Sequence, residues 1–266
     1  MIRTLTFALT VALGLMALAA AAGPAAAAVV TETVVYEHDG VTLEGYLAHD
    51  DAVTGRRPGI LVVHQWMGLT DNERMRAEML AAQGYVAFAG DIYGQGIRPA
   101  SRQEAQAEAG KYYGDRDLFR GRLQAGLAQL KAQPLVDPSR TAAIGYCFGG
   151  GGVLELARSG APVPGVVSFH GSLDTPRPAA AGEVQARVLV CHGAVDPYVP
   201  AEDVQGFVAE MEAAGVDYQL VMYAGAVHAF TQKEAGDDPA AGAAYQARAD
   251  RRSWQHLQAF LAGLFE

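Results

Sequence analysis

A cysteine flanked by closely spaced glycines is the part of the chain best suited to covalent chemistry. Cys147 lies two residues after Gly145 and two before Gly149, and the apolar run 141–144 precedes them. This spacing is typical of a nucleophile elbow, in which a strand turns sharply into a helix and flanking side chains would block the bend. The turn exposes the nucleophile and leaves the next amide, that of Phe148, free to stabilise an oxyanion. Alone the spacing is weak evidence, because cysteine also suits a buried apolar position.

Two more side chains with catalytic potential follow the elbow. Residues 188–193 form a predicted buried strand and Asp196 lies in the loop that leaves it, while residues 219–223 form a predicted last strand and His228 follows it. Taken singly, Asp196 before a proline is a turn residue and His228 a solvated loop histidine. Together with the cysteine, each lies just past the carboxyl end of a predicted parallel strand. This order predicts a triad in which an imidazole generates a thiolate and a carboxylate orients the imidazole.

The remaining chain alternates predicted strands and helices. Residues 29–35 and 41–48 predict an antiparallel hairpin around an Asp-Gly turn. Apolar runs at residues 58–64 and 85–89 predict strands covered on both faces, as parallel strands are. The pattern predicts an α/β fold with a mostly parallel, doubly wound sheet and an N-terminal antiparallel hairpin. No linker divides the chain, so residues 29–266 are predicted to form a single domain.

The first residues have a different character. Arg3 precedes a nearly uninterrupted apolar run at residues 5–22, and small residues surround Ala26 and Ala28. Residues 1–28 are therefore predicted to be a cleavable secretory signal, so that the mature chain is periplasmic or secreted and keeps no stable membrane anchor. An uncleaved anchor is the alternative, which the small residues and the processing-type site disfavour.

Charge limits the class of partner. The chain has 20 Lys and Arg against 29 Asp and Glu, a formal net charge of −9. An acidic chain without a basic run is a poor candidate for binding nucleic acid or anionic membranes. The expected partner is a small molecule, and the chain is expected to be a monomer.

Separated motifs along the chain carry a resemblance to a known family. They are ILVVHQWMGL at residues 60–69, GYVA at 84–87, DIYG at 91–94, GYCFGG at 145–150, HG and DP at 192–193 and 196–197, and HAF at 228–230 after Gly225. In this order they resemble the dienelactone hydrolase family of α/β-hydrolases, over nearly the whole chain after residue 28. The resemblance implies an α/β-hydrolase fold, no metal or organic cofactor, and hydrolysis of a small ester or lactone.

The resemblance also implies roles for individual residues. Cys147 matches the family's nucleophile, His228 its base and then acid, and Asp196 the carboxylate that orients the histidine. The backbone amides of Trp66 and Phe148 match the oxyanion hole.

The second cysteine and three histidines have plainer explanations. An exported chain with Cys147 and Cys191 raises the alternative of a disulfide, but the family's strand order separates their strands too far for a bridge. Cys191 is then a buried apolar residue. His64, His170 and His192 lie at predicted strand ends without H-x-x-x-H spacing, which favours structural or supporting roles over zinc binding.

The chain departs from the family at a residue next to the predicted oxyanion hole. Founding members carry a glutamate, thought to hold the resting thiol neutral until substrate displaces it, where this chain has Gln65. Glutamine takes up no proton. We therefore expect Cys147 to be paired with His228 even in the resting enzyme.

The chain also lacks the arginines with which the family binds a substrate carboxylate. Two family arginines align near Gln95 and Gln232, and Arg98 close by is either a partial substitute or a solvated loop residue. Their loss favours a neutral or aromatic ester or lactone, since bidentate arginine contacts suit carboxylates. The aromatic side chains expected as pocket walls, with core packing as the alternative, are Trp66, Tyr93, Phe148 and Tyr198.

Two other classes of function compete with hydrolysis. A catalytically degenerate α/β-hydrolase-fold protein could bind a small hydrophobic ligand, but the complete triad argues against degeneracy. Thiol redox chemistry is disfavoured because the chain has neither a C-x-x-C pair nor a nearby resolving cysteine.

Overall fold

The computed structural model describes residues 28–266, so the predicted secretory segment lies, except for its last residue, outside the described residues. The described chain forms one eight-stranded sheet with helices on both faces. The strands are β1 (Val29–His38), β2 (Val41–Asp50), β3 (Arg57–Val63), β4 (Val86–Gly90), β5 (Val136–Tyr146), β6 (Gly165–Phe169), β7 (Arg187–Gly193) and β8 (Tyr218–Tyr223). The helices are α1 (Asp71–Ala81), α2 (Arg102–Gly114), α3 (Arg116–Lys131), α4 (Phe148–Arg158), α5 (Ala201–Ala214) and α6 (Ala247–Phe265). Within residues 28–266, no helix has both the length and the apolar character that crossing a membrane requires.

The sheet has the order β1-β2-β4-β3-β5-β6-β7-β8. β1 pairs antiparallel with β2, β2 pairs antiparallel with β4, and every later pair is parallel. The β1–β2 hairpin turns at Asp39 and Gly40, whose φ angles of 49° and 72° are both positive, as tight hairpin turns of this kind require. The predicted α/β class, mostly parallel sheet and N-terminal hairpin are confirmed.

Alternate side chains of the central strands pack on opposite faces of the sheet. In β3, Leu61 and Val63 join the core formed with α2 to α5, whereas Ile60 and Val62 join the core formed with α1 and α6. Successive side chains of a strand point to opposite faces, so a continuous apolar run is what a strand covered on both faces needs. The parallel strands all end at the same edge of the sheet, and this edge carries the candidate site.

Candidate active site

Cys147 occupies the sharp turn between β5 and α4, with a φ of 53°. A Cβ atom on Gly145 would lie 2.0 Å from the carbonyl oxygen of Gly149, and one on Gly149 would lie 2.3 Å from that of Val63. Such contacts are too short for any side chain, so both positions require glycine. The backbone therefore has the elbow geometry that the Gly-x-Cys-x-Gly spacing predicts.

Asp196 and His228 meet at the side chain of Cys147. His228 Nδ1 lies 2.8 Å from Asp196 Oδ2, and His228 Nε2 lies 3.1 Å from Cys147 Sγ. The second oxygen of Asp196 accepts from the amide of Tyr198 at 2.9 Å. Because the carboxylate accepts hydrogen bonds only, Nδ1 carries a proton and Nε2 faces the sulfur. Cys147 and His228 are thus within hydrogen-bonding distance, as expected for a pair formed in the resting state.

The surroundings of His228 favour its charged form. Burial alone lowers the pKa of this imidazole, but the adjacent Cys147 and the hydrogen bond with Asp196 outweigh it and raise the pKa to about 10. A positive charge on His228 therefore lies beside the sulfur of Cys147, 3.1 Å from Nε2. The thiolate is the nucleophilic form of cysteine.

The backbone amides of Phe148 and Trp66, both near the elbow, have no acceptor within the described residues. Phe148 opens α4, where N–H groups have no intrahelical acceptor and the helix end favours negative charge. Trp66 follows β3, whose final carbonyls lie against Gly149 in the first turn of α4. Both amides are free to donate to an oxyanion, and the oxyanion hole that the resemblance implies stays a prediction.

Comparison with known proteins identifies the family. The model of the dienelactone hydrolase family matches residues 43–265 of the chain. The chain belongs to the dienelactone hydrolase family. Its members are hydrolases, and the resemblance seen in the sequence is confirmed.

Individual proteins similar to this chain include named members of this family and other hydrolases. A solved structure of a dienelactone hydrolase-like promiscuous phosphotriesterase from metagenomic libraries is 40% identical, with a TM-score of 0.84, over 90% of this chain and 100% of that one. A protein of Synechocystis sp., provisionally named a carboxymethylenebutenolidase, is 25% identical over 86% of this chain and 94% of its own. A thermophilic esterase from the Planctomycetes species Thermogutta terrifontis shares the fold, with 21% identity and a TM-score of 0.62, over 88% of this chain and 92% of that one.

Gln65 shapes the turn that presents Trp66 in this dienelactone hydrolase family member. Its buried side-chain oxygen accepts from the amide of Met67 at 3.0 Å. Its carbonyl accepts from His64 Nδ1 at 2.7 Å, and His64 Nε2 accepts from the amide of Ile92 at 3.2 Å. These bonds assign the neutral tautomer of His64, in agreement with the lowering of its pKa by burial.

The positions of the missing family arginines differ in environment. Gln95 is exposed, and its Nε2 donates to Glu44 at 2.9 Å. Gln232 is partly buried, and its Nε2 has no acceptor among the described residues. Arg98 lies 3.7 Å from buried Asp91 and donates to three backbone carbonyls, so it is neither a solvated residue nor a free carboxylate ligand. The acceptors of Arg98 are Leu69, Gly94 and Ile97.

The four aromatic residues divide between core and site. Phe148 is buried and stacks on Phe119 with centroids 4.5 Å apart. Tyr93 is also buried, and its hydroxyl donates to the carbonyl of Trp66 at 3.0 Å, which supports the turn rather than an open pocket. Trp66 is partly buried, and Tyr198 is 60% exposed with its ring edge-on to His228 at 5.4 Å. Tyr198 and Trp66 therefore remain as the aromatic residues open to a substrate.

A cavity of about 570 Å³ lies beside the first turn of α4. Its lining residues are Tyr113, Arg116, Ser172, Asp174, Thr175 and Pro176. Ser172 is 3.5 Å from a Cβ atom placed on Gly151. The ring of Tyr113 stands edge-on to that of Phe148, the residue after the nucleophile, with centroids 5.5 Å apart. The volume is within the range of small-molecule sites.

His170 contacts both the elbow that carries Cys147 and the loop that carries His228. The amide of Cys147 donates to Phe169 O at 3.0 Å and to His170 Nδ1 at 3.2 Å. On the other side of the ring, Nε2 lies 2.8 Å from Thr231 Oγ1. The strand-end position predicts a supporting role for His170, but nothing in the local sequence points to Thr231.

The other cysteine is sealed in the sheet. Cys191 lies within β7, has 0% exposure and accepts from the hydroxyl of Tyr223 at 3.4 Å. Burial raises its pKa to about 12. β6 separates its strand from β5, and both cysteines are free thiols. Within residues 28–266, no cluster of three or more His, Cys, Asp or Glu side chains is arranged to hold a metal ion.

Proposed function

We propose that this chain hydrolyses a small carboxylic ester or lactone through a cysteinyl acyl-enzyme. The observation that carries the proposal is the continuous contact from Asp196 through His228 to Cys147, at 2.8 Å and 3.1 Å, on a strained elbow. A nucleophile, a base and an orienting carboxylate in this relation are the groups that acyl transfer needs.

The reaction proceeds in two displacements. The thiolate of Cys147 attacks the carbonyl carbon, a sulfur–carbon bond forms, and the carbonyl oxygen becomes an oxyanion held by the amides of Trp66 and Phe148. Collapse of this intermediate breaks the carbon–oxygen bond, and the imidazolium of His228 gives its proton to the leaving alkoxide. His228 then takes a proton from water, whose oxygen displaces the sulfur and releases the acid. Asp196 stabilises the imidazolium at each stage.

The preferred substrate carries no carboxylate. Gln65, Gln95 and Gln232 are uncharged, and the guanidinium of Arg98 is held by backbone carbonyls. Without a free arginine at these positions, a substrate carboxylate gains no charge-assisted bond to offset its desolvation. A neutral or aromatic ester or lactone fits the exposed ring of Tyr198.

A neutral phosphotriester is a second candidate substrate. The relative with 40% identity is a promiscuous phosphotriesterase, and a phosphotriester, like a neutral ester, presents an electrophilic centre with an oxygen that becomes more negative on attack. The same thiolate would form a sulfur–phosphorus bond and expel an aryloxide, and water would then release the phosphodiester.

The test measures hydrolysis of p-nitrophenyl acetate by the wild type and by Cys147→Ala, with circular dichroism as the control for folding. We expect the substitution to lower kcat/KM by at least about 10⁴-fold, as loss of a triad nucleophile does. Turnover that survives in Cys147→Ala would contradict the cysteine mechanism. A wild type inactive on every short acyl ester and on an aryl phosphotriester would favour a ligand-binding protein.

A matched pair of lactones, one bearing a carboxylate and one its methyl ester, tests the substrate class. We expect the methyl ester to have the larger kcat/KM. Preference for the carboxylate would show that another cation replaces the family arginines.

A further inference from the structure

His170 lies in the loop after β6, between the nucleophile and the loop that carries the base. It has 0% exposure, and its own amide donates to the carbonyl of Cys191 at 2.9 Å, which fixes its backbone to β7. The ring stands edge-on to His228, with centroids 5.3 Å apart. The triad chemistry described above uses none of the atoms of this buried imidazole.

The two hydrogen bonds of the ring define its protonation state. The amide of Cys147 can only donate, so Nδ1 of His170 is the unprotonated acceptor at 3.2 Å. Nε2 therefore carries the proton and donates to Thr231 Oγ1 at 2.8 Å. Burial and the neighbouring His228 lower the pKa of His170 well below its ordinary value, which agrees with a neutral ring.

The two hydrogen bonds of the His170 ring form a bridge from the amide of Cys147 to the hydroxyl of Thr231. Thr231, at the far end of this bridge, is also held by contacts of its own. The carbonyl of Thr231 accepts from Arg76 Nη2 at 3.0 Å, and the same nitrogen lies 2.7 Å from Asp250 Oδ1. Arg76 belongs to α1 and Asp250 to α6. Thr231 follows His228 by only three residues, so this ion pair and the ring of His170 hold the histidine loop from two sides.

Backbone strain is concentrated at the same place. Four non-glycine residues among those described have positive φ, and three of them are Cys147 at 53°, His170 at 40° and Ala229 at 56°. The fourth, Asp39, belongs to the distant hairpin turn. Strained conformations persist only where surrounding contacts over-determine them. The ring of His170 contacts the first of these residues and the loop that contains the third.

We propose that His170 is a positioning residue, whose neutral ring ties the amide of Cys147 to Thr231 and so sets the distance between the nucleophile and the base. The inference rests on the proposed function of Cys147. The sulfur sits on the elbow and the imidazole on a separate loop. His170 links the two backbones, in addition to the contact between the reactive atoms themselves.

The test removes the Thr231 end of the bridge and leaves the triad intact. Thr231→Val is nearly isosteric and lacks the hydroxyl, Thr231→Ala lacks it without adding bulk, and Thr231→Ser keeps it. We expect the Val and Ala variants to lose about 10- to 100-fold in kcat with KM changed less than about 3-fold, because small displacements of reacting groups slow the chemical step. We expect Thr231→Ser to stay within about 3-fold of wild type.

A second readout does not depend on ester turnover. The pH profile of Cys147 alkylation by iodoacetamide reports the thiolate, and we expect its midpoint to rise in Thr231→Val and Thr231→Ala and to stay unchanged in Thr231→Ser. Thermal unfolding controls for folding, and His170→Asn, which keeps an acceptor but is too short to reach Thr231, repeats the test should the Thr231 variants unfold.

The outcomes separate the two proposals. Wild-type kcat and an unchanged alkylation midpoint in folded Thr231→Ala would overturn the positioning role while Cys147→Ala stays inactive. A purely structural role would lower thermal stability in the Val, Ala and Asn variants and leave kcat and the alkylation midpoint of the folded fraction unchanged. Turnover that survives in Cys147→Ala would instead overturn the proposed function.

Discussion

The two cysteines of this chain show that residue type alone does not decide whether a thiol is reactive. Cys191 pairs in register with Phe169, which pairs with Tyr146, so Cys191 lies level in the sheet with the residue just before Cys147. Yet Cys191 remains inside its strand, whereas Cys147 lies one residue beyond the end of its own.

That one-residue difference changes every aspect of the environment. Cys147 is partly exposed, sits at a φ of 53° and faces the imidazole of His228 at 3.1 Å. Cys191 is enclosed, and its nearest polar partner is the hydroxyl of Tyr223, which cannot take up its proton at neutral pH. A reactive thiol thus depends on where a strand ends and on which groups meet there.

The largest effect should come from changing the setting of Cys147 without touching the sulfur. Asp196→Asn leaves the size of the side chain unchanged but removes the charge that stabilises the His228 imidazolium, and we expect kcat/KM to fall about 10³- to 10⁴-fold. Asp237→Asn, at an exposed position nine residues after His228, is the matched control and should retain activity. Near-wild-type hydrolysis of p-nitrophenyl acetate by Asp196→Asn would mean that the elbow alone activates the thiol.

A smaller effect should separate the two thiols by their pH profiles. The raised pKa of His228, about 10, keeps its proton in place through neutral pH and releases it only as the pH rises toward 10. A positive charge next to the sulfur favours the thiolate, so we expect Cys147 at pH 7 to react about 10-fold faster than a free thiol, whose ordinary pKa is about 8.5.

Alkylation rates at pH 6 to 9, with the modified residue located by mass spectrometry, measure this difference. Cys191 should stay unmodified until the protein is unfolded in urea. An alkylation midpoint for Cys147 near 8.5 would show that the resting pair is absent.

The smallest effect concerns the free energy of unfolding. Here substitution of Cys191 should have a larger effect than substitution of Cys147, the reverse of what we expect for reactivity. Cys191→Ser buries a hydroxyl among side chains that are apolar except for the hydroxyl of Tyr223, and we expect it to lower the free energy of unfolding by about 1–3 kcal/mol. The side chain of Cys147 is partly exposed, so Cys147→Ser should lower the free energy of unfolding by less. Urea denaturation measures both, and an equal or larger loss in Cys147→Ser would indicate that the ion pair stabilises the fold.

The sequence predicts the parts of the site that depend on local geometry. Glycine spacing locates Cys147, and the ends of predicted strands locate Asp196 and His228, because parallel strands deliver their carboxyl ends to one edge. These three positions can be located without knowing where any side chain points.

What the sequence does not reveal depends on contacts between distant segments. His170 bonds to Thr231, 61 residues away, and the carbonyls that bind Arg98 are visible only once the loops are folded. Tyr93 is as aromatic as Tyr198, yet one supports a turn and the other faces the site. Such directions follow from tertiary packing rather than from local pattern.

The strand that lies between β5 and β7 has a consequence for oxidative damage. It holds the two sulfur-bearing strands apart by two strand spacings, about 10 Å, and the chain has no third cysteine. If peroxide converts Cys147 to a sulfenic acid, no neighbouring thiol of the same molecule can trap it as a disulfide. Recovery then requires a small thiol from solution, and without one further oxidation to the sulfinic acid is irreversible.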